Sequence, residues 1–575
     1  MSVQLEHIPV AIVGAGPIGL TASCLLSQAG IKHILLEQNP GLHQWPQAHV
    51  VSARTMEILR AAGISEPALR ANAAPLVDMN YLGCWAHTLA KEPWGGFALL
   101  SPENADYLGQ VLRTSPTPNA NIPQDKLEKI LYQHAQAAPL GDIRFGHQLQ
   151  GHVQSGEGVI ANVRNHEDDT SYEINADFLI ACDGAGSAVR HQCGIEMLGP
   201  RSLQHWATVV LQADFRHLVK ANPGLLYWTY GADRTGLFIA YDIDDRWVYM
   251  HACEEGQEIT DEQPEQWVRS AIGDDTPFKI VHTDRWSMSA QVAQHFRDGR
   301  IFLAGDAAHR FPPTGGMGMN TGMQDVFNLC WKIARVVNGD SALALLDSYE
   351  LERRPSVERN CEQSRVNFEK MSQVEEAIGI SSNVEKTREN LNLLDIDDIN
   401  SQQRRDKIQQ SIDAQRDHFF MLGMDLGVCY DGALIQTCPE DAPENNWQAS
   451  EYNPSSAAGN RLPHCWLQEG EKRLSTHDIV ASVKLTLLTT SDGYQQWAQA
   501  LAGTGTDNIE IQAIGNAGLA PADDDEWDTL IGIKQDGALL IRPDRHIAFG
   551  TDHFSENTCK DIFRLLQNYR GENNE

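Results

Sequence analysis

The chain has 575 residues, longer than one hydrophobic core serves, so two or three domains are expected. Its formal net charge of −32 repels nucleic acid and anionic membrane surfaces, which excludes both as partners. Hydrophobic content of 42% and charged content of 21% are those of an ordinary soluble globular protein, so the expected location is the cytoplasm.

Residues 8–13 read as a short apolar strand entering Gly14-Ala15-Gly16-Pro17-Ile18-Gly19, and residues 20–28 continue as a helix ended by Gly30. The glycines and Pro17 break the apolar run, so it is neither a signal peptide nor a membrane span. Residues 33–36 form the next strand, closed by Glu37. This is a β-α-β unit of Rossmann length. Gly14 gives the tight turn, Gly16 admits a pyrophosphate, and Gly19 allows close helix–strand packing. Ala15, Pro17 and Gln38 join them as candidate cofactor contacts. Glu37 is placed to accept hydrogen bonds from ribose hydroxyls and would repel a 2′-phosphate, so this first ligand is FAD or NAD rather than NADP.

A second strand, 177–181, leads into Asp183-Gly184, and a third, 300–304, into Gly305-Asp306. All three turns fall at carboxyl ends of strands, where doubly wound sheets bind ligands. Between the second and third, residues 206–214 and 225–230 are strand-like, and 236–243 with 246–252 form a hairpin. About 195–290 therefore reads as a mainly antiparallel sheet. Ala304-Gly305-Asp306-Ala307-Ala308-His309 then runs into Pro312-Pro313-Thr314-Gly315-Gly316-Met317-Gly318-Met319-Asn320. Asp306 can bind ribityl hydroxyls, Pro313 stiffens the flavin edge, and Gly318 admits the ring. The helix beginning near Met319-Asn320 aims its positive end at the flavin.

Helices follow over 321–337 and 342–354. The polar stretch 372–416 reads as a helical hairpin with a solvated face. Residues 436–463 form a linker. From about 464 a new unit begins, with strands at 483–488 and 509–514, a pair 529–534 with 538–542, and a closing helix at 558–569. Eleven cysteines show no Cys-x-x-Cys pair and no Cys/His ligand spacing, which points to a reducing compartment and no metal site.

These segments resemble the single-component aromatic hydroxylases of the para-hydroxybenzoate hydroxylase class. The similarity is greatest to the longer phenol hydroxylase branch with a thioredoxin-like C-terminal domain, and it covers essentially the whole chain. The residues that carry it are the three glycine segments, Ala181-Cys182-Asp183-Gly184-Ala185-Gly186-Ser187-Ala188-Val189-Arg190, the run from Ala48 to Leu59, and Pro123-Gln124 with Leu127-Glu128. Ala458-Gly459-Asn460-Arg461-Leu462-Pro463-His464 and Arg542-Pro543-Asp544 match in the C-terminal part.

The resemblance implies an α/β chain with an FAD-binding domain over 1–190 and 291–365 and an inserted substrate-binding sheet domain over 191–290. A helical segment over 366–435 and a linker with a thioredoxin-like domain over 436–575 complete it. It implies that Asp183-Gly184 serves FAD and the nicotinamide cofactor, that Gln124 touches the flavin ribityl or pyrophosphate, and that Arg54 lies near the flavin. Asp306 then holds the ribityl chain, and Gly318, Met319 and Asn320 the flavin edge. Relatives carry Arg two residues before the His of Ala48-His49. Here it is Gln47, and NADH and NADPH both stay open as the reductant. Cys438, Cys465 and Cys559 are widely spaced, so the C-terminal unit is expected to be structural and a candidate homodimer surface rather than a dithiol catalyst.

The implied reaction uses NAD(P)H and O2 to hydroxylate a small phenolic or other hydroxylated aromatic substrate through a flavin C4a-hydroperoxide. Candidate substrate residues are His49, Tyr227, Tyr230, Tyr241 and Arg234, with Pro313 at the flavin edge. His49 is the candidate acceptor of the phenol proton, and His309 reads as structural. Other readings on the same fold are a Baeyer–Villiger-type or epoxidising monooxygenase on a polycyclic substrate, and a flavin scaffold holding a reactive intermediate. A flavin halogenase would carry Trp-x-Trp-x-Ile-Pro, which is missing.

Overall fold

The computed structural model describes the chain apart from residues 1–5, 46, 397, 437–447, 503–508, 516–517 and 572–575. Cys438 and the first part of the 436–463 linker lie outside the described residues. Four helices position the site: α1 (Pro17–Gln28), α2 (Ala53–Ala61), α3 (Met317–Val337) and α4 (Ser348–Ile378). No helix among the described residues is long and apolar enough to cross a membrane.

The first sheet is built on the parallel strands Ile301–Leu303, Thr170–Ala181, Glu6–Val13, His33–Glu37 and Gly141–Phe145, in that spatial order. The chain starts in the middle strand and later returns to its other side. The order thus reverses beside Glu6–Val13, and a crevice opens past its carboxyl end. Val10 to Ile12 are fully buried, as a strand with helices on both faces requires.

The second sheet has seven strands, ordered Lys279–Met288, Gln204–Gln212, Arg246–Cys253, Arg234–Asp242, Gly224–Gly231, Tyr81–Ala86 and Gly95–Ala98. The last two come from outside 195–290, so the sheet gathers strands from both sides of the second glycine turn. Its residues alternate between two faces along most of each strand. Val209, Leu211, Tyr227, Phe238, Trp247 and Tyr249 pack on the helix Gln263–Ile272, whereas Trp206, Val210, Trp228, Leu237, Ile239 and Met250 face a cavity.

The 372–416 stretch is not a wholly solvated hairpin. The end of α4 and the helices Val384–Leu394 and Ile399–Asp413 each turn one sparse apolar stripe inward. Val374, Ile378, Leu391, Leu394, Ile408 and Ile412 bury against Trp85 and Phe97 of the second sheet and Trp94 in the loop between their strands. Pairs spaced by three or four residues make the stripe, and the charges between them hide it.

In the C-terminal part, Leu485–Thr490 pairs in parallel with Ile509–Ile514 and antiparallel with Ala538–Ile541. The partner of Ala538–Ile541 is Ile547–Thr551, not 529–534. Residues Asp524–Leu530 are a helix, because Asp523 caps the Glu526 N–H and three acidic residues fill the first turn. This unit is joined to the rest by buried ion pairs. Arg461 donates to Glu57 at 2.9 Å, Arg54 donates to Glu57 at 3.0 Å and to the Asp544 carbonyl at 2.7 Å, and Arg542 bridges Glu352 at 2.7 Å and Asp544 at 2.6 Å.

Candidate active site

A cavity of about 2170 Å3 lies past the carboxyl ends of the first sheet and runs under the second. One small-molecule site needs roughly 300–1,000 Å3, so this one holds more than one partner.

The first glycine turn forms one wall. A Cβ at Gly14 would lie 2.3 Å from the Cys182 carbonyl oxygen, and one at Gly19 would lie 1.9 Å from the Gly14 carbonyl oxygen. Both positions exclude side chains through packing. At Gly16 an added Cβ meets nothing within 4 Å, so the backbone is bare toward the cavity. Gly16 is also the N-cap of α1 and no side chain caps it, which leaves N–H groups and the positive helix end for an anion. Glu37 braces this loop: its carboxylate accepts from the Ala15 N–H at 2.8 Å and from Asn39 at 2.8 and 2.7 Å. Two carboxylate oxygens offer about four acceptor sites, so one remains for a ribose hydroxyl. Ala15, Pro17, Gln38, Asp183 and Gly184 line the same wall. One Asp183 oxygen accepts from the Val189 N–H at 3.2 Å, and the other is buried with no partner among the described residues. Gln124 also lines the cavity, held by the Ala48 N–H at 3.2 Å and by Glu128 at 2.8 Å. Burial pushes the Glu128 carboxyl up to about 7.

The third segment forms the next wall. Asp306 opens into the cavity and accepts no hydrogen bond from the described residues, and desolvation by the surrounding cavity walls raises its pKa. The turn that carries it is fixed from behind. Asp325 accepts from the Gly305 N–H at 3.2 Å, from His309 at 2.8 Å and from Arg353 at 2.9 Å, all buried. His309 therefore holds the turn and stays out of the cavity. Pro313, Gly318 and Met319 line it, and a Cβ at Gly318 would meet nothing within 4 Å. Helix α3 begins at Met317, two residues before the expected start. Its N-cap Gly316 is left-handed and lacks a side-chain cap, so the positive helix end faces the cavity bare.

Two expected cofactor contacts do not reach the cavity. Arg54 is buried in its ion pair with Glu57 and in its bond to Asp544. Asn320 spends its side chain on Ser52, Thr55, Val50 and Gly316, tying α3 to α2. Both act through packing between elements distant in the chain.

Under the second sheet the cavity is a mostly apolar chamber. His49 lies where it meets the flavin wall, beside Tyr241, with ring centroids 5.3 Å apart and edge to face. His49 Nδ1 bonds Asn121 Oδ1 at 2.6 Å, and Tyr241 donates to the Gln47 carbonyl at 3.2 Å. Burial lowers the His49 pKa and pushes the Tyr241 hydroxyl above its ordinary value. Tyr230 borders the far end. Tyr227 and Arg234 sit on the opposite face of the sheet. Tyr227 donates to the Asn222 carbonyl, and Arg234 bonds Ser270 and the His87 carbonyl. One-residue alternation along each strand decides this.

The residues present fit FAD. Two uncapped helix ends, bare backbone at Gly16 and Gly318, and the unmatched Asp306 carboxylate stand along one continuous wall. A family model described as an FAD binding domain matches residues 7–364, and one described as aromatic-ring hydroxylase, C-terminal, matches 455–568.

The chain belongs to the FAD-dependent aromatic-ring hydroxylases.

The hydroxylase is 29% identical over 596 residues to a 2,4-dichlorophenol 6-monooxygenase of Delftia acidovorans, covering 97% of each chain. It is 30% identical to a putative polyketide hydroxylase of Streptomyces halstedii, covering 95% of this chain and 93% of that one. Among solved structures, the flavin-dependent monooxygenase PieE in complex with FAD and substrate superposes with a TM-score of 0.91 at 28% identity, covering 98% and 99%. The hydroxylase is a single-component FAD enzyme of the monooxygenase class that takes NAD(P)H as co-substrate. Sequence reasoning missed Asp325 and the Trp45–His282 stack, whose centroids are 5.2 Å apart on the chamber wall. An acid inside the apolar run of α3 was the signal for Asp325. Nothing local marks the stack.

Proposed function

We propose that the hydroxylase oxygenates a phenolic ring in a substrate larger than one ring, at the junction of the flavin wall and the chamber. One atom of O2 enters the ring, the other leaves as water, and NAD(P)H gives the two electrons. Bound in the cavity, FAD supplies hydride acceptance and oxygen activation. The observation that carries the reading is the His49–Tyr241 pair standing between a flavin-fitting wall and an apolar chamber.

His49 donates through Nδ1 to Asn121, which leaves Nε2 as the unprotonated atom that takes the phenol proton. Tyr241 holds the imidazole edge in place. Pro313 shapes the flavin side of the junction. Trp206, Val210, Ile239 and Met250 exclude water, so a phenolate formed there stays in contact with the reacting centre. The positive end of α3 favours negative charge on the ring it faces. The cavity volume and the relative named as a polyketide hydroxylase both favour a multi-ring substrate.

The C-terminal unit is thioredoxin-like in this reading: a parallel strand–helix–strand pair, an antiparallel hairpin and a closing helix Glu556–Arg570 support it. It serves as a clamp and candidate homodimer surface in a cytoplasmic enzyme. The division into an FAD domain (1–190, 291–365), a sheet domain (191–290), a helical segment (366–435) and a C-terminal unit (436–575) goes with it.

The test is to follow NADH loss with single-ring and fused-ring phenols and to analyse products by mass spectrometry. Fused-ring phenols are expected to gain one oxygen on a ring carbon. Reductant consumption that yields only hydrogen peroxide with every phenol, or oxygen placed beside a ring ketone instead, sinks the reading.

A further inference from the structure

The substrate chamber is polar at both ends and apolar between. His49 and Tyr241 mark the flavin end. The register of the hairpin orders the rest: Leu226 faces Ile239, Trp228 faces Leu237, and Tyr230 faces Thr235. From Tyr241 to Thr235 the strand runs six residue steps, about 20 Å at the usual rise. Helix α4 forms the other side, with Phe368, Met371 and Glu375 on one inward stripe. Phe368 packs in the cluster that contains Tyr241, and Glu375 lies near Tyr230.

The far end is incomplete as protein. The Tyr230 hydroxyl is fully buried and, among the described residues, has no partner in hydrogen-bond geometry. The Trp85 indole N–H beside it, outside hydrogen-bond geometry, has none either. The Glu375 carboxyl borders the cavity, half-buried. It accepts no hydrogen bond and pairs with no cation among the described residues. Burial alone pushes its pKa above the ordinary range. Proteins rarely leave such groups unmatched, and in a binding cavity the ligand supplies the match.

We propose that Tyr230 and Glu375 form a terminal subsite that grips a hydroxyl group of the substrate, at the end remote from the ring that is oxygenated. A hydroxyl accepts from the tyrosine O–H and donates to the glutamate carboxylate at once. A ketone would satisfy only Tyr230, and an ammonium only Glu375. The substrate is therefore a long aromatic of three or more fused rings, or a ring with a stiff arm, hydroxylated at both ends. This rests on the chamber being the phenol site.

The test uses the FAD-loaded enzyme and two probes. One is anthraflavic acid, with hydroxyls at both ends of its long axis, and the other is the same anthraquinone lacking one of them. Dissociation constants are read from perturbation of the flavin absorption spectrum. The two-ended probe is expected to bind about tenfold or more tighter than the one-ended probe. Glu375→Gln and, independently, Tyr230→Phe are expected to bring that ratio toward one. Equal binding by the wild type, no binding of either probe, or a ratio that both substitutions leave unchanged overturns the subsite. Product analysis is a separate readout: preferential binding without any oxygenated product supports the subsite and faults the hydroxylation reading.

Discussion

His49 has one nitrogen committed and one free. Asn121 fixes the tautomer, Tyr241 fixes the ring, and burial keeps the imidazole neutral. Its folded pKa lies below 6.5, so the neutral, proton-accepting form is present above that value and is lost as pH falls through the lowered pKa. The acid limb of kcat/KM for the phenol is therefore expected below pH 6.5. His49→Ala is expected to lower kcat about a hundredfold or more and to remove that limb, with flavin content retained. A limb that survives the substitution takes His49 out of the base role. Single residues differ in how much the sequence discloses. Gly14, Gly16 and Gly19 were legible because their reasons are local: a turn, a bare backbone and a helix crossing its own strand. Arg54 and Asn320 were not, since their partners, Asp544 and Ser52, lie hundreds of residues away in the chain.

At the level of elements, buried ion pairs join the C-terminal unit to α2 and α4. Glu57 and Arg461 are nearly fully buried, and so are Glu352 and Arg542. Removing one partner of such a pair strands the other charge, at a cost of about 3–5 kcal/mol. Arg461→Ala leaves Glu57 with Arg54 as its remaining partner and is expected to lose about 3 kcal/mol, the lower end of that range, in urea unfolding followed by tryptophan fluorescence. A single-substitution loss under about 1 kcal/mol, the value of an exposed pair, would show the contact to be idle. Strands with strong apolar runs, such as Glu6–Val13, were legible from periodicity. The strand expected over 529–534 is not formed: Thr529 and Leu530 close the helix Asp524–Leu530, whose acidic first turn lies outside that window. The apolar stripe facing Trp85 was hidden because few residues in each helix carry it.

Across the whole molecule, charge was legible from composition, and it reaches the active site. Among the described residues lining the cavity the permanent cations are Arg70 and Arg310. Arg70 bonds Glu66 and the Pro118 and Asn119 carbonyls, and Arg310 bonds the Ala185 carbonyl. With a net charge of −32, Gln47 in place of an arginine and only two cationic side chains among the described residues lining the cavity, a 2′-phosphate meets little positive charge. NADH is expected to exceed NADPH about tenfold in kcat/KM at low salt, with the gap narrowing as salt rises. Equal rates with the two reductants at low ionic strength would refute this. The shape of the substrate chamber was not legible, because its sheet draws on residues 81–98 and its far wall on α4. The buried pairs around Glu57 and Glu352 also bear on inheritance. A drift at any one of these positions exposes its partner to an interior that cannot solvate it, so only matched exchanges are open. The C-terminal unit can thereby be neither shed nor borrowed without rewriting α2 and α4.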